Sequence, residues 1–390
     1  MVEWKKMWEV TTWDKKFSGV DKYMQPRVIK YYYYLANQLT DLERKDGDIR
    51  ILYTTNKEAY AYSNDVDGNI SEGEVVTIPW GGNVNIQYYK GKFITADNRI
   101  ATSNNTDFLS NKFLYYWMLS QKEEIAKLYR GAGIQHPSML SVLSMSIPIP
   151  SLQEQERIVG ILDTFTASID NIKAQIEQRR KQYEHYRNTL LTFNKDDDSV
   201  EWKTLGEIGT MYKGKGIQKS DFVDNGKPCI HYGQVHTFYG FTATKTKSFV
   251  SEEMYSCCNK AKKGDLIIAT TSEDVEACCK ATVWLGDSEP AISGDAHFFR
   301  HNQNPKYIGY LFMTEMFASQ KKVAAVGAKV TRVHGESIMK FKFPFPTLAR
   351  QQEIVSILDT FEASITNLEA QLEQRQKQYE YYREKLLTFE

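Results

Sequence analysis

Four loops of the sequence combine lysine or arginine with amide, histidine and glycine residues, a mixture suited to binding DNA. Basic side chains supply most of the affinity by contacting phosphates, and amide or guanidinium groups distinguish the edges of the bases. The loops are residues 15–22, 130–136, 212–219 and 329–334. The candidate DNA-binding residues in them are Lys15, Lys16, Lys22, Arg130, Gln135, His136, Lys213, Lys215, Lys219, Thr331, Arg332 and His334.

Two of these side chains are suited to pairing with a particular base in the major groove. Gln135 could pair with adenine and Arg332 with guanine, because their hydrogen-bonding groups match those base edges. Their loops, 130–136 and 329–334, also occupy matching positions about 196 residues apart. The alternative is that all four loops are ordinary solvent-exposed turns.

No pattern in the sequence predicts catalysis. Gly209 to Lys215 has the G-x-x-x-x-G-K spacing of a phosphate-binding loop, but Gly216 stands where that loop needs serine or threonine to hold magnesium. Residues 304–307, Asn-Pro-Lys-Tyr, are similar to the Asn-Pro-Pro-Tyr loop of adenine methyltransferases. Lys306, however, replaces the second proline, and no glycine-rich cofactor loop lies upstream. We therefore expect a protein without catalytic residues or a cofactor of its own.

The cysteines and histidines do not predict a metal site. The five cysteines are Cys229, Cys257, Cys258, Cys278 and Cys279. Zinc needs spaced ligands such as Cys-x-x-Cys, whereas four of these cysteines form two vicinal pairs, whose neighbouring side chains are expected to diverge. The seven histidines also lack the spacing of metal ligands. Without a secretory signal, the thiols are predicted to be reduced.

The composition favours a soluble protein of the cytoplasm. Its 390 residues, 42% hydrophobic and 25% charged, suffice for two or three domains. The N-terminus lacks the apolar core of a signal peptide, and no apolar run is long enough to cross a bilayer. The net charge of +0 argues against a protein that coats nucleic acid indiscriminately. Residues 1–147 and 200–343 carry net charges of +1 and +4, and residues 148–199 and 344–390 carry −2 and −3, with ordinary surface scatter as the alternative.

The sequence repeats itself after 196 residues. Residues 148–193 align without a gap to residues 344–389, with 30 of 46 positions identical. In both copies, apolar residues recur at alternating steps of four and three, the spacing of a coiled-coil seam. The first seam contains Ile158, Leu162, Phe165, Ile169, Ile172, Ile176, Arg179, Tyr183, Tyr186, Leu190 and Phe193, and the second seam lies 196 residues later. Each copy is predicted to be a helix of about 40 residues, roughly 60 Å long.

The two helices are expected to pack on each other as an antiparallel pair. An acidic linker, residues 194–199, and a domain separate them in the sequence, and the ends of a domain usually lie close together. The predicted molecule is a dumbbell, with two globular regions held apart by a helical rod and approximate two-fold symmetry. Arg179 and Arg375, the polar seam positions, either fix the register of the pair or extend their stems to solvent.

The regions before the two helices are predicted to be distant copies of one domain. Val2-Glu3-Trp4-Lys5 recurs at residues 200–203. Both regions then contain a strand-like run and a helical stretch, at 72–79 and 111–129 in the first and at 263–270 and 305–324 in the second. The tyrosine run 31–34 is interpreted as part of a helix that packs on its domain, with stacking on DNA as the alternative.

The order of domain, helix, domain and helix covers the whole chain. PIPSLQEQERIVGILD and PFPTLARQQEIVSILD open the helices and RQKQYEYYREKLL closes the second, while IPWGGNVNIQYYKGKF, RGAGIQHPSM and MYKGKGI lie in the domains. These features resemble the DNA specificity subunits of type I restriction-modification systems. The motifs in the domains look like those of the family's target recognition domains.

The resemblance implies an α+β fold with two target recognition domains separated by a long antiparallel two-helix coiled coil. The predicted domains are residues 1–147 and 200–343, with the central helix and linker at 148–199 and the distal helix at 344–390. Each domain would bind half of a bipartite double-stranded DNA target without catalysis. The helices would dock two methyltransferase subunits, which restriction and translocase subunits would join. S-adenosylmethionine, ATP and magnesium would then belong to the partner subunits. The alternative function is a coiled-coil adaptor that joins proteins without binding DNA.

Overall fold

The chain folds into two units, and both long helices contribute residues to each of them. The computed structural model describes residues 2–67, 70–194, 197–327 and 331–389. The first unit comprises Met1–Lys173 and Ala370–Glu390, and the second comprises Ala174–Glu369. Each unit therefore joins one α+β domain to a portion of each helix.

The first unit is built on a six-stranded sheet. The strands of the whole unit are β1 (Glu3–Lys6), β2 (Thr11–Trp13), β3 (Ile49–Leu52), β4 (Ala59–Ala61), β5 (Ser71–Pro79), β6 (Gln87–Thr95), β7 (Asn98–Ser103), β8 (Tyr129–Arg130), β9 (His136–Pro137) and β10 (Ser146–Ile149). Its short helices are α1 (Met7–Val10), α2 (Ala36–Leu42), α3 (Asn111–Ser120), α4 (Lys122–Lys127) and α5 (Met139–Leu143). The sheet order is β2-β7-β5-β6-β3-β4, and within it the β3–β6 pair is parallel.

The core of the first unit lies between this sheet and α3. Strand β5 buries Val76 and Ile78, and α3 buries Phe113, Leu114 and Trp117 in the same cluster. The predicted strand at 72–79 and helical stretch at 111–129 are therefore present, although the stretch divides into α3 and α4.

The second unit contains a five-stranded and a four-stranded sheet. Its strands are β11 (Glu201–Thr204), β12 (Gly209–Lys213), β13 (Phe222–Val223), β14 (Lys227–Ile230), β15 (Thr242–Ala243), β16 (Ser248–Val250), β17 (Leu266–Ala269), β18 (Thr271–Ser272), β19 (Lys280–Trp284), β20 (Ala291–Ile292), β21 (Ala296–His301), β22 (Thr331–Arg332) and β23 (Lys342–Phe345). The sheet orders are β12-β21-β17-β19-β15 and β13-β16-β14-β20.

Helices cover the five-stranded sheet of the second unit as α3 covers the sheet of the first. The two long helices of the repeat are α6 (Leu152–Leu190) and α13 (Leu348–Leu387). The short helices between them are α7 (Leu205–Ile208), α8 (Tyr232–Thr237), α9 (Glu252–Cys257), α10 (Pro305–Leu311), α11 (Glu315–Ala324) and α12 (Gly335–Ile338). Helix α10 buries Tyr307, Ile308 and Leu311 against Leu266 and Ile268 of β17. The predicted helical stretch 305–324 forms α10 and α11.

The two ends of each domain are joined by the same pair of strands. In the first unit, β1 pairs with β10 and Trp4 lies opposite Pro148. In the second unit, β11 pairs with β23 and Trp202 lies opposite Pro344. Both pairs are antiparallel, so the repeated Val-Glu-Trp-Lys segment places each domain's first residues beside the proline that precedes its long helix.

One buried glutamine fixes the start of each long helix to its domain. The Gln155 side chain is 0% exposed, accepts a hydrogen bond from the Ser110 N–H at 2.9 Å and donates to the Phe108 carbonyl at 2.8 Å. Gln351, its equivalent in the second unit, is also 0% exposed and accepts from the Asn304 N–H at 3.0 Å. Helix α6 and helix α13 are therefore anchored by the same residue of the repeat.

An aspartate further along each helix makes a second repeated contact. Asp163 accepts hydrogen bonds from Lys112 Nζ at 2.7 Å and from the Tyr116 hydroxyl at 2.6 Å. In the second unit, Asp359 accepts from Lys306 Nζ at 2.6 Å and from the Tyr310 hydroxyl at 3.0 Å. These contacts give residues 304–307 a structural role, because Asn304 caps α10 and Lys306 holds α13.

The long helices pack on each other antiparallel within each unit. In the first unit, the Phe165 ring stacks on the Tyr382 ring at 5.3 Å between centroids. In the second unit, the Tyr186 ring stacks on the Phe361 ring at 5.1 Å. Helices α6 and α13 span 39 and 40 residues, so the predicted helix length is confirmed. At their ends, Leu191 and Leu387 are buried in place of the predicted Leu190 and Leu386, which are half-buried.

The two seam arginines contact the facing helix. The Arg179 guanidinium lies 5.6 Å from the Phe361 ring centroid, and the Arg375 guanidinium lies 5.6 Å from the Phe165 ring centroid. Both side chains are half-buried, so their charge is placed over an aromatic face rather than extended fully into solvent.

The predicted helix over tyrosines 31–34 is wrong. These residues are extended, and the nearby helix α2 begins only at Ala36. The Tyr33 hydroxyl donates to Asp14 at 2.8 Å, and the Tyr31 ring packs 5.5 Å from Phe93. Tertiary contacts of alternate tyrosines therefore override the helical interpretation, since an extended segment presents alternate side chains to the same face.

The two pairs of vicinal cysteines differ in the arrangement of their side chains. Cys257 is exposed and Cys258 is buried, as expected for diverging neighbours. The sulfurs of Cys278 and Cys279 instead lie 4.0 Å apart, so the prediction that neighbouring side chains diverge is wrong for this pair. In the described part of the chain, no helix combines the length and apolarity needed to span a membrane.

Candidate nucleic-acid interface

Four segments meet beside the end of strand β5 in the first unit. They are the loop after β2, the end of β5, the start of β7 and the β8–β9 hairpin. Strand β5 ends at Pro79, and the following Trp80 N–H donates to the Asp97 carbonyl just before β7, at 2.6 Å. Residues distant in the sequence therefore surround Trp80.

Three cationic or titratable side chains contact the half-buried Trp80. Lys15 Nζ lies 5.3 Å and the Arg99 guanidinium 5.0 Å from its ring centroid, distances at which cations are attracted to an indole. The His136 ring lies 5.2 Å away, and its Nδ1 is 2.7 Å from the Trp80 carbonyl oxygen. A cleft of about 530 Å³ is lined by Lys15, Lys16 and Trp80 together with residues 137–140. The structure thus brings Lys15, Lys16 and His136 together.

A buried ion pair supports this cleft. Arg99 donates to Asp14 at 2.6 Å, and their side chains are 5% and 0% exposed. Asp14 also accepts hydrogen bonds from the Tyr33 hydroxyl at 2.8 Å and from the Ile100 N–H at 3.0 Å. Burial, reinforced by the nearby Arg99 charge, lowers the pKa of Lys15, and the negative charge of Asp14 offsets only part of this effect. The positive charges of the cleft are therefore supported by the Asp14 carboxylate, which is buried and hydrogen-bonded to three partners.

The loop that carries the first lysines is held by one amide. Gln25, 5% exposed, accepts from the Phe17 N–H at 2.8 Å and donates to the Lys15 carbonyl at 2.9 Å. Lys15 and Lys16 remain exposed above it. Lys22 is exposed on the same loop but does not line the cleft.

Arg130 and Gln135 lie on the β8–β9 hairpin beside the cleft. Both side chains are exposed, and the Gln135 carbonyl accepts a hydrogen bond from the Gly82 N–H at 2.9 Å, which ties the hairpin to the loop after Trp80. Gly131 has a φ of 143°, and a Cβ there would lie 2.9 Å from the Ile134 carbonyl oxygen. Glycine is therefore required for this turn.

The same four segments meet in the second unit. Strand β12 ends at Lys213, strand β17 ends at Ala269, and strand β21 begins at Ala296. The Thr270 N–H donates to the Asp295 carbonyl at 3.2 Å, as Trp80 does to Asp97 in the first unit. Thr271 then pairs with Arg332, which also forms an antiparallel bridge with Val326.

These segments form a cleft of about 630 Å³ lined by Lys213, Arg332 and His334. Arg332 is half-exposed and donates to Asp295 at 3.1 Å and to the Thr271 hydroxyl at 3.2 Å. The structure therefore brings three predicted residues together from segments more than a hundred residues apart.

His297 lies at the base of this second cleft. Its Nδ1 is 3.1 Å from the Thr270 hydroxyl, and burial, reinforced by the Lys213 charge, lowers its pKa to about 4. The imidazole is therefore neutral at physiological pH. It can offer or accept a hydrogen bond without adding to the positive charge of the cleft.

The remaining predicted residues of the second unit lie outside the cleft lining. Lys215 and Lys219 are exposed on the loop after β12, whose Gly214 approaches the Ser293 carbonyl so closely that a Cβ would collide with it. Thr331 is 8% exposed, so its side chain faces the interior of the domain. Residues 329 and 330 of the predicted loop lie outside the described residues.

Several residues of the clefts are not predicted from the sequence. Trp80 belongs to the IPWGGN motif, but its role depends on which segments surround it. Asp14 and Arg99 are 85 residues apart and become partners only through the β2–β7 pairing. Asp295 and His297 carry no signal in the sequence beyond that of surface or strand residues. Asp295 corresponds to Asp97, and His297 corresponds to Arg99. This follows from the sheet register, because His297 lies opposite Ile268 as Arg99 lies opposite Ile78.

Both halves of the chain match one protein family. The family model described as type I restriction modification DNA specificity domain matches residues 29–179 and again residues 198–377. A Haemophilus influenzae protein named as a type I restriction enzyme specificity subunit is 30% identical over 374 residues, covering 89% of both chains. The EcoR124I/EcoR124II specificity subunit of Escherichia coli is 31% identical over 312 residues, covering 75% of this chain and 74% of that protein.

A solved structure shares the fold over the full chain. The specificity subunit of the type I restriction-modification system of M. genitalium superposes with a TM-score of 0.63 at 15% identity, covering 100% of this chain and 97% of that one. A chain from a structure concerned with the assembly and conformational transition of a type I system superposes with a TM-score of 0.57 at 13% identity, covering 99% and 97%. The predicted fold class agrees with these neighbours.

Proposed function

The chain belongs to the type I restriction modification DNA specificity family and is a non-catalytic DNA-recognition subunit, and we propose that its two clefts bind the two halves of one target. The proposed recognition domains are residues 1–147 and 200–343. Each would read its half-site independently, because each cleft is assembled from segments of its own unit alone.

The equivalence of the two clefts carries this proposal. In the first unit, the loop after β2, the residue after β5 and the segment that begins at Pro137 of β9 line one concave surface. In the second unit, β12, the residue after β17, the start of β21 and the segment that begins at Arg332 of β22 line the other. The frame is the same, but the side chains differ. Trp80 and Arg99 of the first cleft correspond to Thr270 and His297 of the second. A shared frame with different side chains suits two domains that bind DNA alike and read different bases.

In and around the clefts, we assign the lysines to phosphates and the side chains of residues 130–136 and 332–334 to bases. Lys15, Lys16, Lys213, Lys215 and Lys219 are suited to phosphate contact, as is Lys22 at the edge of its loop. The residues assigned to the grooves are Arg130, Gln135, His136, Arg332 and His334. Thr331 is buried, and we assign it a structural role beside Arg332 in β22.

The long helices are the proposed docking surface for the other subunits. Two methyltransferase subunits would bind there, and restriction and translocase subunits would join them in the cytoplasm. S-adenosylmethionine, ATP and magnesium would be held by those partners. The duplication supports a stoichiometry of two, because the helical segments repeat at 30 of 46 positions and would offer a similar surface twice.

The proposal is tested by measuring DNA binding of the methyltransferase complex across a salt series. The double variant Lys15→Ala/Lys16→Ala should weaken binding to all sequences and reduce the salt slope by about 0.9 for each phosphate that the lysines no longer neutralise. Lys57→Ala and Lys263→Ala are matched controls, because both lysines are exposed, pair with a carboxylate and lie outside the cleft linings. Equal salt slopes for all variants would contradict the assignment.

A further inference from the structure

Cys278 and Cys279 form a buried pair of thiols in the second unit. Their residues are 1% and 2% exposed, and their Sγ atoms lie 4.0 Å apart. They converge because Cys279 has a φ of 63°, in the left-handed region that few residues other than glycine enter. An S–S bond is about 2.05 Å long, so the two sulfurs need to approach by about 2 Å to form one.

A cavity of about 330 Å³ lies against the two cysteines. It is lined by both cysteines and by Phe317 and Lys321, among other residues. Lys321 is 8% exposed, and its Nζ donates to the carbonyls of Glu276 at 2.8 Å and of Cys278 at 3.0 Å. A buried ammonium group beside a thiol favours the reactive thiolate. Hydrogen bonding from Cys279, with a smaller contribution from the Lys321 charge, lowers the pKa of Cys278.

We propose that Cys278 and Cys279 are an oxidation site at which a hydroperoxide converts two thiols into a vicinal disulfide. The Cys278 thiolate attacks one oxygen of hydrogen peroxide, the O–O bond breaks, and hydroxide leaves and is protonated to water. The resulting sulfenic acid is attacked by the Cys279 sulfur, its S–O bond breaks, and a second water leaves. The thiols lose two electrons and two protons, and one peroxide is reduced to two waters.

The disulfide would disturb the strand pair that holds Arg332. Cys278 Sγ lies 3.3 Å from the Thr270 carbonyl and 3.8 Å from the Thr331 carbonyl, and a thiol can donate to either oxygen. Thr331 and Arg332 form β22, which pairs with β18 directly after Thr270. A disulfide has no S–H to donate and withdraws the sulfur toward Cys279. This effect on DNA binding rests on the proposed function, whereas the oxidation itself does not.

The other vicinal pair is an internal comparison. Cys257 is exposed while Cys258 is 5% exposed, so their sulfurs face opposite environments. Cys257 is therefore open to reagents without a neighbouring sulfur in position to close a ring. Its oxidation should stop at a sulfenic acid or join two chains, and this distinguishes it from oxidation at Cys278.

The chemical step is tested on the full chain by treatment with hydrogen peroxide and peptide mass mapping without reductant. We expect the peptide containing both Cys278 and Cys279 to lose two hydrogens and to regain them with dithiothreitol. In Cys279→Ser, Cys278 should stop at a sulfenic acid that dimedone captures. A pair that stays reduced while Cys257 is oxidised, or that proceeds to sulfinic acid, would overturn the proposal. If Cys279→Ser fails to fold, the mapping of the unmodified chain decides alone.

The consequence is tested by comparing reduced and oxidised chains, with the partner methyltransferase, on duplexes carrying the target found by methylome sequencing. Oxidation should weaken binding several-fold, and scrambling the half-site read by the second unit should abolish the difference. Formation of the disulfide without any change in binding would refute the regulatory effect and leave the oxidation site in place. If the reduced chain itself shows no target preference, the proposed function has failed instead.

Discussion

Asp14 is the buried charge on which the first cleft depends. It accepts hydrogen bonds from Arg99, Tyr33 and the Ile100 N–H, and its side chain is 0% exposed. Burial, together with the neighbouring Asp14 charge, raises the pKa of Tyr33, so the phenol remains a donor. The network holds the Arg99 guanidinium against Trp80, and a carboxylate at this position is therefore needed for the geometry of the cleft.

Asp14→Ala should destabilise the first unit by about 3–5 kcal/mol, because it leaves the Arg99 charge buried without a partner. The free energy of unfolding from urea titration measures this cost. Lys57→Ala is the matched control, since it breaks an exposed ion pair with Glu43 and should cost no more than about 1 kcal/mol. Equal destabilisation by the two variants would show that the buried pair has no special role.

Arg332→Ala should relax recognition of one base pair in the half-site read by the second unit. A bidentate arginine–guanine contact discriminates by about 1–3 kcal/mol, and Arg332 reaches a base by exchanging its hydrogen bond to Asp295. Binding to a panel of single-base variants of the target measures the change in discrimination. Arg130→Ala is the control, because its effect should fall in the other half-site. Uniformly weaker binding over all positions would instead indicate a phosphate contact.

His301 should make the stability of the second unit depend on pH. Burial lowers its pKa to about 4, and its Nε2 has no hydrogen-bond partner in the described part of the chain. The unfolded imidazole takes up a proton near pH 6.5, whereas the folded one stays neutral until about pH 4. Stability is therefore retained above about pH 6.5 and lost as the pH falls toward 4, by about 1.4 kcal/mol per pH unit at most. His301→Leu should flatten this slope in urea titrations at several pH values, and an unchanged slope would assign it to other groups such as His297.

At the scale of elements, the long helices are the part that sequence pattern predicts best. Their four–three spacing identifies the seam without knowledge of any other segment, and Phe165 and Phe361 lie in it as predicted. The helix predicted over tyrosines 31–34 from sequence pattern is wrong, because Tyr33 and Tyr31 contact Asp14 and Phe93, which lie far from them in the sequence. The clefts could be predicted only as separate loops. Their assembly depends on strand order and register, which a single sequence does not reveal.

Gln155→Leu and Gln351→Leu should each destabilise only the unit whose helix they anchor. Each glutamine is 0% exposed and bonds to backbone groups, which are left unpaired at a cost of about 1–3 kcal/mol per group. Hydrogen exchange followed by mass spectrometry measures opening of each unit separately. We expect faster exchange in α3 for the first variant and in α10 for the second. Exchange that increases equally in both units would contradict independent anchoring.

At the scale of the whole molecule, exchanging residues 200–343 for the corresponding domain of a relative should change one half of the target. The β11–β23 pair brings both ends of this segment together, so the exchange is made at adjacent positions. Methylome sequencing of cells carrying the hybrid and its methyltransferase would report the new target. The reciprocal exchange of residues 1–147 is the control and should change the other half. A hybrid that alters both halves at once would show that the domains do not read independently.

The first unit draws its residues from two stretches of the chain that lie before and after the second unit, and this affects the order in which the two units can fold. Leu387 is buried in the same core cluster as Phe113 and Leu162, with Tyr379 and Phe389 packed against it. A ribosome synthesises those residues only after the whole second unit, Ala174–Glu369, has been made. Part of the first unit's core is therefore exposed to solvent until those residues are made. The second unit can complete its folding before then, although most of the first unit is synthesised earlier. Chaperones that bind exposed apolar surface should accordingly meet this protein through its amino-terminal half.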